Sequence, residues 1–215
     1  MRLFVCYMRL AVTFLFLYGY SRAAHSRQRP IVIRSRESRY DRSITTFDPS
    51  GRLLQVEYSH AASERGAQIL ALVLEDNKII FQAPMSNVYR LDHHLWLVTT
   101  GLSGDSRALA NHLRSNSRQH RLDYGERMSV NECATTGADL HHKLTYTEGT
   151  RPMGCAALVL GLDNNNELRI FRIDSGGGLK DSWFAAMGNG SEKAMSSLNK
   201  EYDKMKQSVE STVTG

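Results

Sequence analysis

Tyr40-Asp41-Arg42-Ser43-Ile44-Thr45-Thr46-Phe47-Asp48-Pro49-Ser50-Gly51-Arg52-Leu53-Leu54-Gln55-Val56-Glu57-Tyr58 carries more structural information than any other stretch of this chain. Its second half reads as a turn feeding a helix. Pro49-Ser50-Gly51 is a turn signal, because proline presets φ and glycine tolerates a reversed backbone. In the following run, Leu53 to Arg65, residues Leu54, Tyr58, Ala61 and Ala62 fall at helical spacing. Gly66 stands just beyond as a stop.

Downstream, the chain alternates between strand and helix patterns. Ala67 to Leu74 is an apolar run of strand length, Glu75-Asp76-Asn77 a polar turn, and Lys78 to Gln82 the returning strand of a hairpin. Asn87 to Asp92 and His94 to Thr100 read as a second strand pair ended by Gly101. Asp105 to His120 has helical spacing through Leu109, His112 and Leu113, and Val130 to Leu144 is a second, more polar helix. Cys155 to Gly161 is an apolar run. Glu167 to Ile173 alternates, with Leu168, Ile170 and Arg172 on one face and Phe171 and Ile173 on the other. Ser175-Gly176-Gly177-Gly178 is a loop and Ser182 to Met187 a short strand. Ser191 is placed to cap a last helix running to about Lys206, with Met195, Leu198, Tyr202 and Met205 as its apolar positions. The order of strands, two helices, strands and a helix suits an α+β sandwich with two sheets inside and helices outside.

The chain has 215 residues, enough for one sizeable domain. Its 41% hydrophobic and 23% charged residues argue against wholesale disorder. The net charge of +5 would hint at nucleic acid or membrane, but residues 1–39 alone carry eight arginines and one glutamate. The remainder sums to −2, with no concentrated basic face visible in sequence, which disfavours a nucleic-acid function. Three widely spaced cysteines, Cys6, Cys133 and Cys155, make no disulfide framework and read as reduced thiols. Residues 1–24 resemble a secretory signal: Arg2, an apolar core from Leu10 to Tyr18, then Ser21-Arg22-Ala23. The apolar core is too short for a membrane span of about 20 residues.

The run from Tyr40 to Tyr58 closely resembles the segment that opens the α-type subunits of the 20S proteasome. Further points of resemblance follow in order along the chain. Gly101-Leu102-Ser103-Gly104-Asp105-Ser106-Arg107 is similar to a Gly-x-x-x-Asp-Ala-Arg step. Arg151-Pro152-Met153-Gly154 is similar to Arg-Pro-aromatic-Gly, and Gly188-Asn189-Gly190-Ser191 to a Gly-x-Gly turn before the third helix. The resemblance implies a four-layer αββα sandwich of the N-terminal nucleophile hydrolase type over residues 40–215. It makes residues 1–39 an extension outside the core, with a natural start near Ile33 to Ser38. It also implies a chain shorter than the family between Gln82 and Asn87, and truncated after the third helix.

The same resemblance decides which chemistry to expect. Active relatives use a threonine at the start of the first core strand, whose own free α-amino group is the base. Here that position is Ala67, and residues of the same domain precede it. The supporting carboxylate position is Ala83, and the stretch that would carry the supporting lysine is missing. The resemblance therefore implies a non-catalytic subunit that lines and gates the pore of a protease, serving ubiquitin-dependent degradation in cytoplasm and nucleus. Tyr40, Asp41, Arg42, Pro49 and Tyr58 match its gate segment. Tyrosine and aspartate can hydrogen-bond to a neighbouring subunit, and the proline fixes the reverse turn that sets the tail. Asn87 falls where the family commonly uses lysine to pair the C-terminal carboxylate of a regulatory tail, so weak tail binding is expected. Implied partners are other α subunits, β subunits and regulatory caps. No cofactor, metal or nucleic acid is implied.

Other constellations are thin. The adjacent pairs His93-His94 and His141-His142 send their side chains apart, whereas metal ligation needs convergence, so surface or partly buried histidines are expected. Ser175-Gly176-Gly177-Gly178 lacks the Lys-Ser/Thr of a phosphate loop. Two alternatives stay open: an active threonine hydrolase of the same fold, and a secreted or membrane-tethered protein resting on residues 1–24.

Overall fold

The computed structural model describes residues 40–74 and 78–200. The signal-like segment, the rest of the expected extension and the helical positions Tyr202 and Met205 lie outside those residues.

Helix α1 (Leu54–Glu64) leads into strand β1 (Ile69–Leu74), which pairs antiparallel with β2 (Lys78–Gln82). Strands β3 (Val88–Arg90) and β4 (Leu95–Gly101) follow, then helices α2 (Ser103–Tyr124) and α3 (Val130–Tyr146). The chain returns through β5 (Cys155–Leu162), β6 (Leu168–Ile173), β7 (Leu179–Asp181) and β8 (Phe184–Met187). Residues 191–200 are helical. One sheet has the order β2-β1-β8, the other β3-β4-β5-β6-β7, and every pairing among the described residues is antiparallel.

Strand alternation explains the layers. In β5, Ala156, Leu158 and Leu160 face the three-stranded sheet, where they meet Ile69, Ala71 and Met187. Cys155, Ala157 and Val159 face the opposite way, toward Leu109, Leu113 and Ala134 of the two helices. A strand covered on both faces reads as an unbroken apolar run, as the sequence of β5 does. Ile170 packs between the sheets while Phe171 and Ile173 pack under the helices, as their alternation predicts. Each fully buried leucine here is worth about 1.5–3 kcal/mol.

Several expectations need correction. On α1 the buried residues are Leu54, Ser59 and Ser63, while Tyr58 is 38% exposed. Two small serines thus share the buried positions of the helix with Leu54. Ser63 Cα lies close enough to Gly101 that a Cβ on the glycine would stand 3.1 Å away. Helix α2 runs longer at both ends than its apolar spacing suggests. Its buried stripe is Ser106, Leu109, Ala110, Leu113 and Ser117, and His112 lies off it, exposed. Gly125 ends α2 in the left-handed conformation at φ 73°, its N–H donating to the Arg121 carbonyl at 3.0 Å. A capping box starts α3: the Glu132 amide donates to Ser129 Oγ at 3.1 Å, and the Ser129 amide to Glu132 Oε2 at 2.9 Å.

Asn87 belongs to a 3₁₀ turn (Met85–Asn87) rather than to β3, because its amide donates back to the Pro84 carbonyl at 2.9 Å. Strand β7 is an addition to the expected elements. Its three residues are all exposed and show no alternation, and only edge pairing to β6 defines them. The Ser175–Gly178 segment is the tight turn between these two strands. Strand β8 starts at Phe184, after Ser182 donates its amide to the Ile170 carbonyl at 3.1 Å. Ser191 is the first helical residue rather than the cap: the Gly190 carbonyl accepts from the Ala194 amide at 3.2 Å.

Candidate functional site

The segment before α1 is organised by one carboxylate. Asp48 Oδ1 accepts from the amides of Ser50 at 2.9 Å and Arg52 at 2.8 Å, and from Ser50 Oγ at 2.7 Å. Its Oδ2 accepts from Arg52 Nη2 at 3.1 Å. The Asp48 amide donates to the Arg52 carbonyl, and the Gly51 amide to the Asp48 carbonyl, each at 2.9 Å. Pro49 occupies the second position of this turn, where its fixed φ fits, and Gly51 takes φ 81°. The Arg52 amide, then the Ser50 hydroxyl, hold the Asp48 carboxyl down to about 2. It stays ionised and the turn stays closed at any physiological pH.

This turn delivers the chain directly into α1, and α1 in turn holds the residues before the turn. Gln55 Nε2 donates to the Asp41 carbonyl. Asp41 Oδ1 is buried and has no hydrogen-bond partner among the described residues. Tyr40 and Asp41 are half-buried, whereas Arg42 and Pro49 are exposed. Tyr58, on α1, is more than half covered. Tyr40, Asp41, Arg42, Pro49 and Tyr58 thus lie on the stretch that runs through the Asp48 turn into α1.

The start of β1 has a different character. Ala67 is exposed, and its carbonyl accepts from Thr100 Oγ1 at 2.8 Å. Gly188, at φ 82°, passes so close that a Cβ there would stand 2.2 Å from the Ala67 oxygen. The Ala67 nitrogen is a peptide amide, whose delocalised lone pair is not a base. A small cleft nearby is lined by His60, Ser63, Glu64, Thr100, Arg172 and Asp174. Its polar groups are engaged: His60 Nε2 lies 3.4 Å from Glu64 Oε1, and Arg172 pairs with Asp174 at 2.8 Å. Ala83 is half-buried and packs against the apolar layer between the sheets.

Asn87 does not reach outward. Its Nδ2 donates to the Thr99 carbonyl at 2.9 Å and its Oδ1 accepts from Ser86 Oγ at 2.8 Å. The side chain staples the 3₁₀ turn to β4.

The histidine pairs diverge, but not both as surface groups. His93 is exposed beside Arg90, and His94 Nε2 lies 2.8 Å from the Met128 carbonyl. His142 is exposed and meets the Tyr146 ring edge-on at 5.2 Å. His141, expected at most partly buried, is 0% exposed. It lies on the inner face of α3, on the same stripe as Ala134 and Ala138, which was the available signal. No three metal-ligating groups converge among the described residues. Cys133 and Cys155 are buried, and desolvation pushes each thiol up to about 12, so neither is a nucleophile. No described helix is long and apolar enough to cross a membrane.

Comparison with known proteins agrees with this geometry. The family model described as Proteasome subunit matches residues 62–214, and the model for the N-terminal signature of A-type proteasome subunits matches residues 40–62. The chain is similar to the proteasome alpha subunit of Methanocaldococcus jannaschii, at 34% identity over 77% of this chain and 67% of the relative. It is similar to that of Methanopyrus kandleri at 32% identity, over 80% and 74%. Methanoregula boonei has another such relative at 33% identity, over 76% and 72%.

Proposed function

Because the chain belongs to the proteasome subunit family and carries that family's α-type signature, we propose that it is a non-catalytic, pore-gating member of a 20S proteasome α ring. The family itself implies assembly with other subunits into a proteasome complex. The finer reading is of neighbours on both sides in the α ring, a stacked β ring, and regulatory caps on the outer face. Its service in ubiquitin-dependent degradation, in cytoplasm and nucleus, belongs to the same proposal.

The observation that carries the gate is Asp41. Its carbonyl is tied to α1 by Gln55, yet its Oδ1 is buried without a partner among the described residues. A buried carboxylate oxygen costs free energy until a donor meets it, and a neighbouring copy of the same segment can supply one from a tyrosine or arginine. Pro49 and the Asp48 turn fix where that segment leaves α1. Absence of catalysis is supported by Ala67, which has no nucleophilic side chain and no free amine.

Native purification of the tagged chain tests assembly. We expect migration with a particle of other α and β subunits; migration as a free monomer would sink the proposal. In the assembled particle, Asp41→Ala should change basal hydrolysis of short peptides without abolishing assembly.

A further inference from the structure

We infer that His141 is a proton-sensitive latch that ties the β6–β7 turn to α3 and, through that turn, steadies α1. The inference goes beyond the gate reading and stands without it.

His141 is 0% exposed on the inner face of α3. Its Nδ1 lies 3.4 Å from the carbonyl oxygen of Ser175, itself a buried residue. A carbonyl only accepts, so Nδ1 carries the proton and donates. Nε2 is then the lone-pair nitrogen, and it is buried without a hydrogen-bond partner among the described residues. The ring makes one bond, and that bond goes to a turn with few others.

The turn is tight. The Asp174 amide donates to the Gly178 carbonyl at 2.8 Å, and the Gly177 amide to the Asp174 carbonyl at 3.0 Å. Gly177, at φ 89°, presses on α3: a Cβ there would stand 2.7 Å from His142 Cβ and 2.8 Å from the Ala138 carbonyl. On its other side, a Cβ on Gly176 would stand 3.4 Å from Cγ1 of Val56 in α1. The turn therefore presses on α3, which holds His141, and lies beside α1, the helix that holds the Asp41 segment.

A second proton on the ring would add a buried charge and a second N–H at Nε2 with no acceptor in place. Two carboxylates act on the ring from neighbouring elements, Asp105 on α2 and Asp174 at the end of β6. Both are already engaged, Asp105 by Arg151 and the Gly154 amide, Asp174 by Arg172. Arg151 and Arg172 add positive charge to the neighbourhood of those carboxylates. Burial accordingly holds the His141 imidazole below its ordinary range, although the Ser175 carbonyl and then the two carboxylates favour the charged ring. The Nε2–H of a protonated ring finds an acceptor only in water, so we expect the second proton to draw the ring outward and thereby release the Ser175 carbonyl and the turn.

Hydrogen exchange of the full chain at pH 7.5 and pH 5.5, corrected for intrinsic rates, tests this. The wild type should lose protection about tenfold in peptides spanning 174–178 and 54–60 on acidification, while the β4–β5 core stays protected. His141→Gln, which can donate to Ser175 but cannot be protonated, should show no such pH response. Unchanged wild-type protection in those peptides, or the same pH response in H141Q, overturns the inference. If H141Q does not fold, NMR of the histidine-labelled wild type decides. The His141 ring should titrate together with the loss of protection in 174–178; titration without that loss overturns the latch.

Discussion

Asp105, in the first turn of α2, and Arg151, just before β5, form a two-pronged ion pair across 46 residues of sequence. Arg151 Nη1 reaches Asp105 Oδ2 at 2.7 Å and Nη2 reaches Oδ1 at 2.8 Å. The same Oδ2 accepts the Gly154 amide at 2.9 Å, and the Leu102 amide donates to the Gly154 carbonyl at 2.9 Å. Two sequence motifs that are weak alone thus form one clamp. It fixes the crossing where β4 passes into α2 beside the start of β5. Gly101 completes it: its φ is 104°, and a Cβ there would stand 2.2 Å from the Gly154 oxygen.

The clamp should be measurable. The Asp105 carboxylate is mostly buried while Arg151 is largely exposed, so solvent screens part of the ion pair. We expect Arg151→Ala to cost about 1 kcal/mol, and Asp105→Ala about 2–3 kcal/mol because it also orphans the Gly154 amide. Urea midpoints of the two variants check the order. Equal losses would show that the Gly154 bond contributes nothing.

Acid should destabilise the fold in two stages. The folded His141 ring, held low by burial, binds fewer protons than the unfolded one, so stability falls as pH drops below about 6.5. Asp48 is lowered to about 2 by the Arg52 amide, Asp105 is lowered by the Arg151 guanidinium, and Glu132 by the Ser129 amide. Their contributions are complete above the unfolded carboxyl range and are lost as pH falls below about 4. Urea midpoints at pH 7.5, 5.5 and 3.5 should show both steps in the wild type. In H141Q the upper step should shrink to what His112, also held low by desolvation and by Lys143, contributes, while the lower step remains.

Asn87 has its amide committed to Thr99, so it offers a tail carboxylate neither charge nor a fully free donor. Asn87→Lys should strengthen binding of a regulatory C-terminal peptide to the assembled particle by about fivefold, while costing about 1 kcal/mol through loss of the Thr99 bond. Peptide titration checks the first and thermal unfolding the second. No gain in affinity would remove Asn87 from the docking surface.

Ala67→Thr should not create a hydrolase. The new hydroxyl would follow a peptide amide instead of a free amine, and no carboxylate stands at Ala83 to support it. An electrophile that acylates N-terminal threonines, followed by mass spectrometry, should leave residue 67 unmodified. Labelling there would contradict the non-catalytic reading.

Much of this was legible in the chain itself. β5 reads correctly because a strand buried on both faces needs an apolar residue at every position. The Pro49 turn reads correctly because proline and glycine act locally. The inner face of α1 could not be read, since Ser59 and Ser63 are buried although neither is apolar, and Ser63 lies against the Gly101 backbone. Strand β7 has no pattern of its own, because an exposed edge strand is defined by its neighbour. Asn87 was expected to face a partner, and only the fold shows its amide turned in toward Thr99.

By itself the sequence determined the element order apart from β7, and the turn at Pro49-Ser50-Gly51 before α1, because each depends on residue types at fixed local spacing. The tertiary structure alone decided that Asp105 meets Arg151, that Asp41 keeps a buried oxygen without a partner among the described residues, and that His141 is enclosed against Ser175. Those are relations between distant segments, set by how two sheets and their helices close on one another, and no local spacing encodes them.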